Sequence, residues 1–207
     1  GCDDATVVTI NKHFADTFTA AIFYDAIPKI YENEYLVDPR AREWYFEKID
    51  QIVAADVLLS ISQSSKLEAE KYFGVASRNV INISTALSSE IDNQSHSPSP
   101  EEVSERLDLG TDYILYSGAS DPRKNLPRLV EAYADLPENL KAKSKLVLAG
   151  GMPQAHIAHL LALADTLGVS DRVVCTGWVN DGELAAIYKG ARLFVFPSFH
   201  EGFGLPI

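Results

Sequence analysis

Short apolar runs that end in glycine or serine alternate with helical patterns along most of this chain, and this alternation restricts the fold more than any other feature. In the second half, the runs are YILYSG (113–118), KLVLAGG (145–151), RVVCTG (172–177) and RLFVFPS (192–198). Patterns typical of helices fill 122–134, 153–167 and 181–190. Parallel strands need a long crossover, which is usually a helix. We therefore predict an α/β protein with parallel sheets, in which ligands bind at the carboxyl ends of the strands.

The first half shows the same alternation in a less regular form. Ser65 and Glu68 have the spacing of a capping box, so a helix is predicted to begin there and to end at Gly74. The other predicted elements are strands at TVVTI (6–10), AAIFY (20–24), DVLLSIS (56–62) and 79–83, and a helix at 39–54. The first half is therefore predicted to form an α/β unit of its own.

A polar stretch separates the two series. SSEIDNQSHSPSPEE (88–102) contains five serines and two prolines. A segment of this composition buries too little apolar surface to fold by itself, which is typical of a linker. A long surface loop is the alternative. We predict residues 1–84 as the first unit, 85–108 as a flexible linker and 109–207 as the second unit.

Charge and cysteine content exclude several classes of protein. The net charge is −11, whereas binding to nucleic acid or to an anionic membrane surface needs clustered lysine and arginine. The two cysteines, Cys2 and Cys175, are too few for a disulfide framework, which indicates a reducing compartment. No apolar run reaches the roughly 18 residues of a membrane-spanning helix. We expect a cytoplasmic protein without nucleic-acid partners.

The segment SGASDPRKNL (117–126) follows the first strand of the second half. Asp121 would cap the helix predicted after it. Arg123 and Lys124 would then lie in the first turn, where the helix dipole opposes each cation by about 0.3–1 kcal/mol. Two cations are useful there if they hold an anion together with backbone N–H groups. The alternative is two solvated surface bases. The segment is neither a Walker loop nor a G-x-G-x-x-G fingerprint.

The chain closes on HEGFGLPI, in which two glycines flank an aromatic residue directly after a predicted strand. Gly202 and Gly204 allow the main chain to approach a ligand closely, and Glu201 can accept hydrogen bonds from ligand hydroxyls. Alternatively, Glu201 caps a helix or forms a salt bridge. For Phe203 we favour a place in the core. The scattered histidines do not have the spacing of metal ligands, so no metal site is predicted.

TGWVNDGELAAIY (176–188) is a third candidate binding segment. Asn180 or Asp181 is predicted to cap the helix that follows. Trp178 or Val179, just beyond the strand end, can lie against a planar base. Ordinary packing between helix and sheet explains both side chains equally well.

In their order and spacing, these segments resemble the nucleotide-binding half of the family 4 retaining glycosyltransferases, which have the GT-B fold of two Rossmann-like domains. FPSFHEGFGLPI resembles the hallmark loop of that family, and GASDPRKNL resembles its diphosphate loop. In the first half, FYDAIPKIY (23–31) is similar to the HDLIP-type segment, and ADVLLSISQSSKLEAEKYFG (55–74) to the AD-x-hhh-S-x-x-S strand and helix. The P-R-K-N form is shared with bacterial mannosyltransferases of O-antigen and capsule assembly. The resemblance covers nearly the whole chain.

The resemblance implies transfer of a sugar from a nucleoside diphosphate to an acceptor hydroxyl, with retention of configuration. The donor, GDP-mannose or a UDP-sugar, would be a substrate, and no cofactor is implied. Arg123 and Lys124 match positions that stabilise the departing diphosphate without a metal, and Glu201 matches a ligand of donor-sugar hydroxyls. With Asp25, these are the implied catalytic residues. The implied donor-binding residues are Gly118, Arg123, Lys124, Gly150, Val179, Leu184, Glu201, Phe203, Gly204 and Leu205.

The sequence departs from the family pattern in several places. Ala119 stands where many members have arginine, and Tyr24 where many have a histidine near the reacting sugar. The second glutamate of the E-x7-E motif would follow Glu201 by eight residues, which the chain does not reach. The resemblance therefore implies a fragment that is incomplete in both domains and inactive by itself. Residues 1–84 would be the end of the acceptor-side domain.

The expected partners are the nucleotide-sugar donor and a glycan or lipid-linked glycan acceptor. The expected location is the cytoplasm at the inner face of the membrane, with peripheral membrane contact through parts outside this chain. The alternative function is a GT-B protein that transfers no sugar, either a sugar-nucleotide epimerase or a pseudoenzyme that binds partners. The EGFGLP loop argues against an epimerase, and a turnover assay separates a transferase from a pseudoenzyme.

Overall fold

The computed structural model describes residues 16–86 and 98–204. Contacts divide these residues into two compact units, the first made of 16–86 with Glu201–Gly204 and the second of 98–200. The strand predicted at 6–10 and the predicted ligand-binding residue Leu205 lie outside the described residues. No helix in the described part of the chain is long and apolar enough to span a membrane.

The first unit is built on a parallel three-stranded sheet of order β1-β2-β3. Phe23 lies opposite Ser60, and Leu58 lies opposite Val80. The strands are β1 (Ala20–Phe23), β2 (Val57–Ser60) and β3 (Val80–Asn82), and the helices are α1 (Ile27–Ile30), α2 (Glu32–Tyr35), α3 (Pro39–Val53) and α4 (Gln63–Phe73). A 3₁₀ turn at Ser77–Asn79 precedes β3.

The helices α3 and α4 cover one face of this sheet. Ile49 of α3 and Ala69 of α4 pack with Phe23, Leu58 and Val80 in one buried cluster. The residues of β1 and β2 alternate in burial, as the two-residue period of a strand requires. The apolar side of each strand therefore packs against the two helices.

The other face of the sheet carries a row of apolar side chains in register. Ile22, Leu59 and Ile81 lie opposite one another on the three strands. Ile22 is 51% exposed and Ile81 is 52% exposed. Parallel sheets usually have both faces covered, so this unit has a half-covered sheet in the described structure.

The second unit has a parallel four-stranded sheet of order β6-β5-β4-β7. Its strands are β4 (Tyr113–Ser117), β5 (Lys145–Ala149), β6 (Val173–Gly177) and β7 (Leu193–Phe194). Its helices are α5 (Pro100–Leu107), α6 (Leu126–Ala134), α7 (Glu138–Lys141), α8 (Gln154–Thr166) and α9 (Asp181–Gly190), with 3₁₀ turns at Pro122–Lys124 and Ser170–Arg172.

Helices cover both faces of this second sheet. Leu146 and Leu148 of β5 pack with Leu160 of α8 in one cluster. Val147 alternates with them and packs with Ile187 of α9 on the opposite face. The sequence prediction of an α/β protein with parallel sheets is confirmed in both units.

The predicted start of α4 is wrong. The helix expected to begin with a Ser65–Glu68 capping box begins at Gln63, because Ser62 is the N-cap and its Oγ accepts the Ser65 N–H. The predicted end of that helix at Gly74 is confirmed by the left-handed conformation of this residue.

The linker predicted at 85–108 is shorter than expected, because Pro100–Leu107 forms the helix α5. Ser99 and Glu102 make a reciprocal capping box at the start of this helix, which stabilises it despite the polar composition. Val103 is buried against the second sheet. This helix therefore belongs to the second unit.

Candidate functional site

Three glycines form the carboxyl edge of the second sheet at the ends of β4, β5 and β6. The Gly118 N–H donates to Ala149 at 3.0 Å, and the Gly150 N–H donates to Gly177 at 3.2 Å. A Cβ on Gly150 would lie 2.4 Å from the Gly118 carbonyl oxygen, and Gly150 has a φ of +135°. Because only glycine permits this conformation and this approach, the edge offers bare backbone to a ligand.

The segment after β4 differs from the sequence prediction. Pro122–Lys124 is a 3₁₀ turn, Asn125 is left-handed, and α6 begins at Leu126. Asp121 forms no side-chain capping bond. The prediction of one continuous helix over 122–134 is therefore wrong. The helix cannot be continuous because the ring of Pro127 would clash with the carbonyl of Arg123, four residues earlier.

Arg123 and Lys124 consequently lie outside the first turn of an α-helix, and the argument from the helix dipole does not hold for them. Arg123 holds the segment that follows β7. Its guanidinium pairs with Asp121 at 3.0 Å and donates to the His200 carbonyl at 3.0 Å. Its own carbonyl accepts the Phe199 N–H at 2.9 Å. Arg123 therefore fixes the main chain just before Glu201.

Lys124 is a buried cation. Only 8% of the Lys124 surface is exposed, and the ammonium lies 5.4 Å from the ring centroid of Phe196. The alternative of two solvated surface bases is therefore wrong. Burial of an ammonium is costly unless an aromatic face, dipoles or an anion compensate for the lost hydration. The aromatic face of Phe196 compensates for part of this cost.

The described part of the closing loop packs in the first unit. A Cβ on Gly202 would lie 2.9 Å from Asp25 Oδ2 and 3.0 Å from the Tyr24 carbonyl oxygen. A side chain at Gly202 would therefore collide with the predicted residue Asp25. Glu201 directly precedes Gly202 in the chain. Phe203 is exposed, so its predicted place in the core is wrong. Gly204 has a φ of +92°, which favours glycine.

Asp25 lies in the turn that follows β1. Its Oδ1 accepts the Ile27 N–H at 2.9 Å and so stabilises the start of α1. Burial, together with the negative charge of Asp25, raises the pKa of Tyr45 to about 12. Tyr45 therefore stays a neutral phenol near this carboxylate at physiological pH.

The third candidate segment divides its side chains between core and surface. Val179 and Leu184 are half-buried and pack around Ile187. Trp178 is 78% exposed. Packing thus accounts for Val179, whereas nothing in the core accounts for Trp178. Asn180 makes the predicted helix cap, in a reciprocal capping box.

Sequence reasoning missed the role of α4. Ser62 was not singled out, and Ser65 was assigned to a helix cap, yet their hydroxyl oxygens lie within 2.5 Å and 3.0 Å of the Gly202 carbonyl oxygen. The signal in the sequence was the repeat S-x-x-S-x-x-E at 62–68, which places three polar groups on one face of a helix. Among residues 16–86 and 98–204, no group of three or more histidine, cysteine or carboxylate side chains has the geometry of a metal site.

Comparison with known proteins identifies the family. Residues 100–207 match the family model described as "Glycosyl transferases group 1". The chain belongs to this family of glycosyltransferases. Its parallel sheets and its structural relatives place it in the GT-B fold, of which it covers a part.

Among the curated relatives, the chain is 35% identical over its whole length to a "Serotype-specific mannosyltransferase WbdA" of Escherichia coli, and it covers 26% of that protein. It is 31% identical to "O-antigen chain mannosyltransferase B" of Escherichia coli, over 82% of the chain and 45% of the relative. The chain thus spans a quarter to a half of the length of these relatives.

Solved structures show the same fold at low identity. WaaG, a glycosyltransferase involved in lipopolysaccharide biosynthesis, superimposes on 95% of this chain with a TM-score of 0.67 and 18% identity, and 57% of WaaG is covered. A sucrose-phosphate synthase from Thermosynechococcus elongatus superimposes on 94% of the chain with a TM-score of 0.69 and 20% identity, and 48% of it is covered.

Proposed function

We propose that the protein containing this chain is a glycosyltransferase that moves mannose from GDP-mannose to a hydroxyl of a glycan or lipid-linked acceptor. Configuration at the anomeric carbon is retained in this proposal, and no metal is used. The observation that carries it is the buried cation Lys124, which follows the strand-end residue Gly118 by six residues, together with the glycine edge formed by Gly118, Gly150 and Gly177. Because the chain belongs to a family of glycosyltransferases, we assign sugar transfer as the reaction at that site.

The second unit supplies groups suited to a diphosphate. When the bond between sugar and diphosphate breaks, negative charge develops on the departing oxygen and must be stabilised. The Lys124 ammonium can do this, and bare backbone at Gly118 and Gly150 lets the phosphates approach closely. Arg123 contributes by fixing the segment before Glu201, since its guanidinium binds the His200 carbonyl.

The exposed indole of Trp178 is suited to the planar base of the nucleotide. It follows β6 directly, and its Cβ lies 3.9 Å from the position of a Cβ on Gly151. Stacking of a base on an aromatic ring contributes about 1–3 kcal/mol. Val179 and Leu184, by contrast, support this segment from the core.

The first unit supplies groups suited to sugar hydroxyls. Glu201 and Asp25 are carboxylates, which accept hydrogen bonds from hydroxyl groups. In a retaining transfer of this kind, the acceptor proton passes to the donor phosphate on the same face of the sugar, so no side chain of the chain is assigned as base.

Mannose is proposed because the curated relatives that match most of this chain are named as mannosyltransferases. A lipid-linked acceptor would place the intact protein in the cytoplasm at the inner face of the membrane.

The proposal is tested by a transfer assay on the intact protein, with labelled GDP-mannose, UDP-glucose and UDP-galactose offered separately and with a chelator present. We expect sugar release or transfer from GDP-mannose alone. Turnover of a UDP-sugar instead would keep the reaction class and change the donor.

A GT-B pseudoenzyme is the second candidate, because Ala119 and Tyr24 replace residues that many members of the family carry. A pseudoenzyme would bind nucleotide and turn over none of the three donors. That result would overturn the transferase proposal.

A further inference from the structure

The first turn of α4 presents three polar side chains at intervals of three residues. Ser62 is the N-cap, and its Oγ accepts the Ser65 N–H at 2.9 Å. Ser65 is fully buried, and Glu68, about one turn further along, is also buried. Buried polar groups are costly unless they form hydrogen bonds, so the partners of these three side chains indicate what they do.

The two serine hydroxyls contact two carbonyl groups. Ser62 Oγ lies 2.5 Å from the Gly202 carbonyl oxygen, and Ser65 Oγ lies 2.5 Å from the Tyr24 carbonyl oxygen. Each hydroxyl has a single proton to donate. Both carbonyls are therefore satisfied when Ser62 donates to Gly202 and Ser65 donates to Tyr24. The two serine oxygens are 3.0 Å apart, so the hydroxyls form one connected pair.

Glu68 completes the arrangement on the other side of Asp25. Its Oε2 accepts the Ala26 N–H at 2.7 Å. The peptide groups on both sides of Asp25 are thus held by α4, the carbonyl of Tyr24 through Ser65 and the N–H of Ala26 through Glu68. The position of the Asp25 backbone is fixed by these two contacts.

Gly202 brings the closing loop against the same place. A Cβ there would lie 2.9 Å from Asp25 Oδ2, so the loop backbone passes close to the Asp25 carboxylate, with no room for a side chain between them. The Ser62 hydroxyl lies 2.5 Å from the carbonyl oxygen of the same glycine. A single helix turn therefore controls the backbone next to Glu201 and the backbone of Asp25.

We propose that Ser62, Ser65 and Glu68 are positioning residues that hold the Gly202 peptide and the Tyr24–Ala26 segment, and thereby place Glu201 and Asp25 for sugar transfer. This inference rests on the proposed function, because it assigns a purpose to the placement of two carboxylates. Positioning of this kind acts mainly on the transition state, so its loss lowers kcat more than it changes binding of the nucleotide.

The test compares Ser62→Ala with Ser99→Ala in the intact protein. Both changes remove a serine N-cap, since Ser99 Oγ accepts the Glu102 N–H at 3.1 Å, but only Ser62 contacts the closing loop. For Ser62→Ala we expect at least a tenfold fall in kcat, with the Kd for GDP changed less than threefold. For Ser99→Ala we expect kcat within about twofold of the wild-type value. Ser62→Thr, which keeps both the cap and the donor, is expected to restore most of the activity.

Hydrogen exchange gives a readout that does not depend on turnover. Backbone amides over 200–204 are expected to exchange at least tenfold faster in Ser62→Ala than in wild type or Ser99→Ala. Ser65→Ala is the second variant, since it keeps the helix cap and the backbone N–H while it removes the donor to Tyr24. It should show the same fall in kcat.

The proposal is overturned if Ser62→Ala and Ser65→Ala have the same kcat as the control Ser99→Ala. It is also overturned if the amides over 200–204 exchange at the wild-type rate in both Ser62→Ala and Ser65→Ala. If the wild-type protein transfers no sugar, the proposed function fails instead. Faster exchange would then still support the positioning role, and unchanged exchange would overturn it too.

Discussion

The two units of this chain differ in how many faces of their parallel sheet are covered by helices. In the second unit, Leu148 and Val147 lie on opposite faces of β5, and each is buried under helices. In the first unit, Phe23 is buried under α3 and α4, whereas Ile22 and Ile81 on the other face are half-exposed. Within the described residues, helices therefore cover both faces of the second sheet and one face of the first, so the first sheet relies on one face for its stability.

The units also differ in the polar groups that each contains. The second unit uses bare glycine backbone and the buried Lys124 cation, which suit phosphate groups. The first unit uses serine hydroxyls and carboxylates that bind main-chain groups, which suit the placement of a loop. Similar substitutions in the two units should therefore change stability by different amounts.

The largest expected effect is on the fully covered sheet. Leu148→Ala removes a fully buried side chain and should lower the free energy of unfolding of the second unit by about 2–5 kcal/mol. Ile81→Ala, on the exposed face of the first sheet, should change stability by roughly 0.5 kcal/mol or less. Denaturant titration of both variants makes the comparison, and equal losses would show that the exposed row is covered in solution.

The next effect concerns the glycine edge. Gly150→Ala places a Cβ 2.4 Å from the Gly118 carbonyl oxygen at a φ of +135°, so the backbone must move, at a cost of roughly 2–4 kcal/mol. The control is Gly74→Ala in the first unit, which has a φ of +66° and no atom within 4 Å of the added Cβ. It should cost about 1–2 kcal/mol. Thermal unfolding compares the two, and a smaller loss for Gly150→Ala would contradict the proposed crowding of the strand ends.

The smallest effect is a pH dependence in the first unit. The Thr19 N–H and hydroxyl donate to Asp56 Oδ2 at 2.7 Å and 2.9 Å, and these bonds lower the pKa of Asp56. The stabilisation is therefore present above the ordinary aspartate pKa of about 4 and is lost as the pH falls through the lowered value. Asp56→Ala should melt at a slightly lower temperature than wild type at pH 7, with the gap closing at acidic pH. A gap that widens in acid would refute the assignment.

The sequence predicted the parts that follow from local pattern. Period and composition gave the strands near Leu115 and Val147, and Gly74 marked a helix end, because these signals act over a few residues. The turn at Pro122–Lys124 differs from the predicted helix because Pro127 does not fit the interior of a continuous helix. The burial of Lys124 and the exposure of Phe203 depend on tertiary packing, which no local pattern encodes.

The predicted site residues stay predictions, whereas some of the contacts between candidate residues can be compared with the structure. The strand-end glycines Gly118 and Gly150 are in contact, as expected from the carboxyl edge of a parallel sheet. The hydroxyl pair of Ser62 and Ser65 was not foreseen, because a serine at a helix start usually serves as a cap, and Ser62 serves as cap and loop donor together.

The central claim is that Lys124 and the glycine edge hold the diphosphate of a nucleotide sugar. The most direct test is calorimetric titration of the intact protein with GDP, UDP, GDP-mannose and UDP-glucose in the presence of a chelator, for wild type, Lys124→Ala and the exposed control Lys143→Ala. We predict selective binding of GDP and GDP-mannose, about 10- to 100-fold weaker for Lys124→Ala and unchanged for Lys143→Ala. Equal affinity of Lys124→Ala and wild type, or no binding of any nucleotide by wild type, would contradict the account.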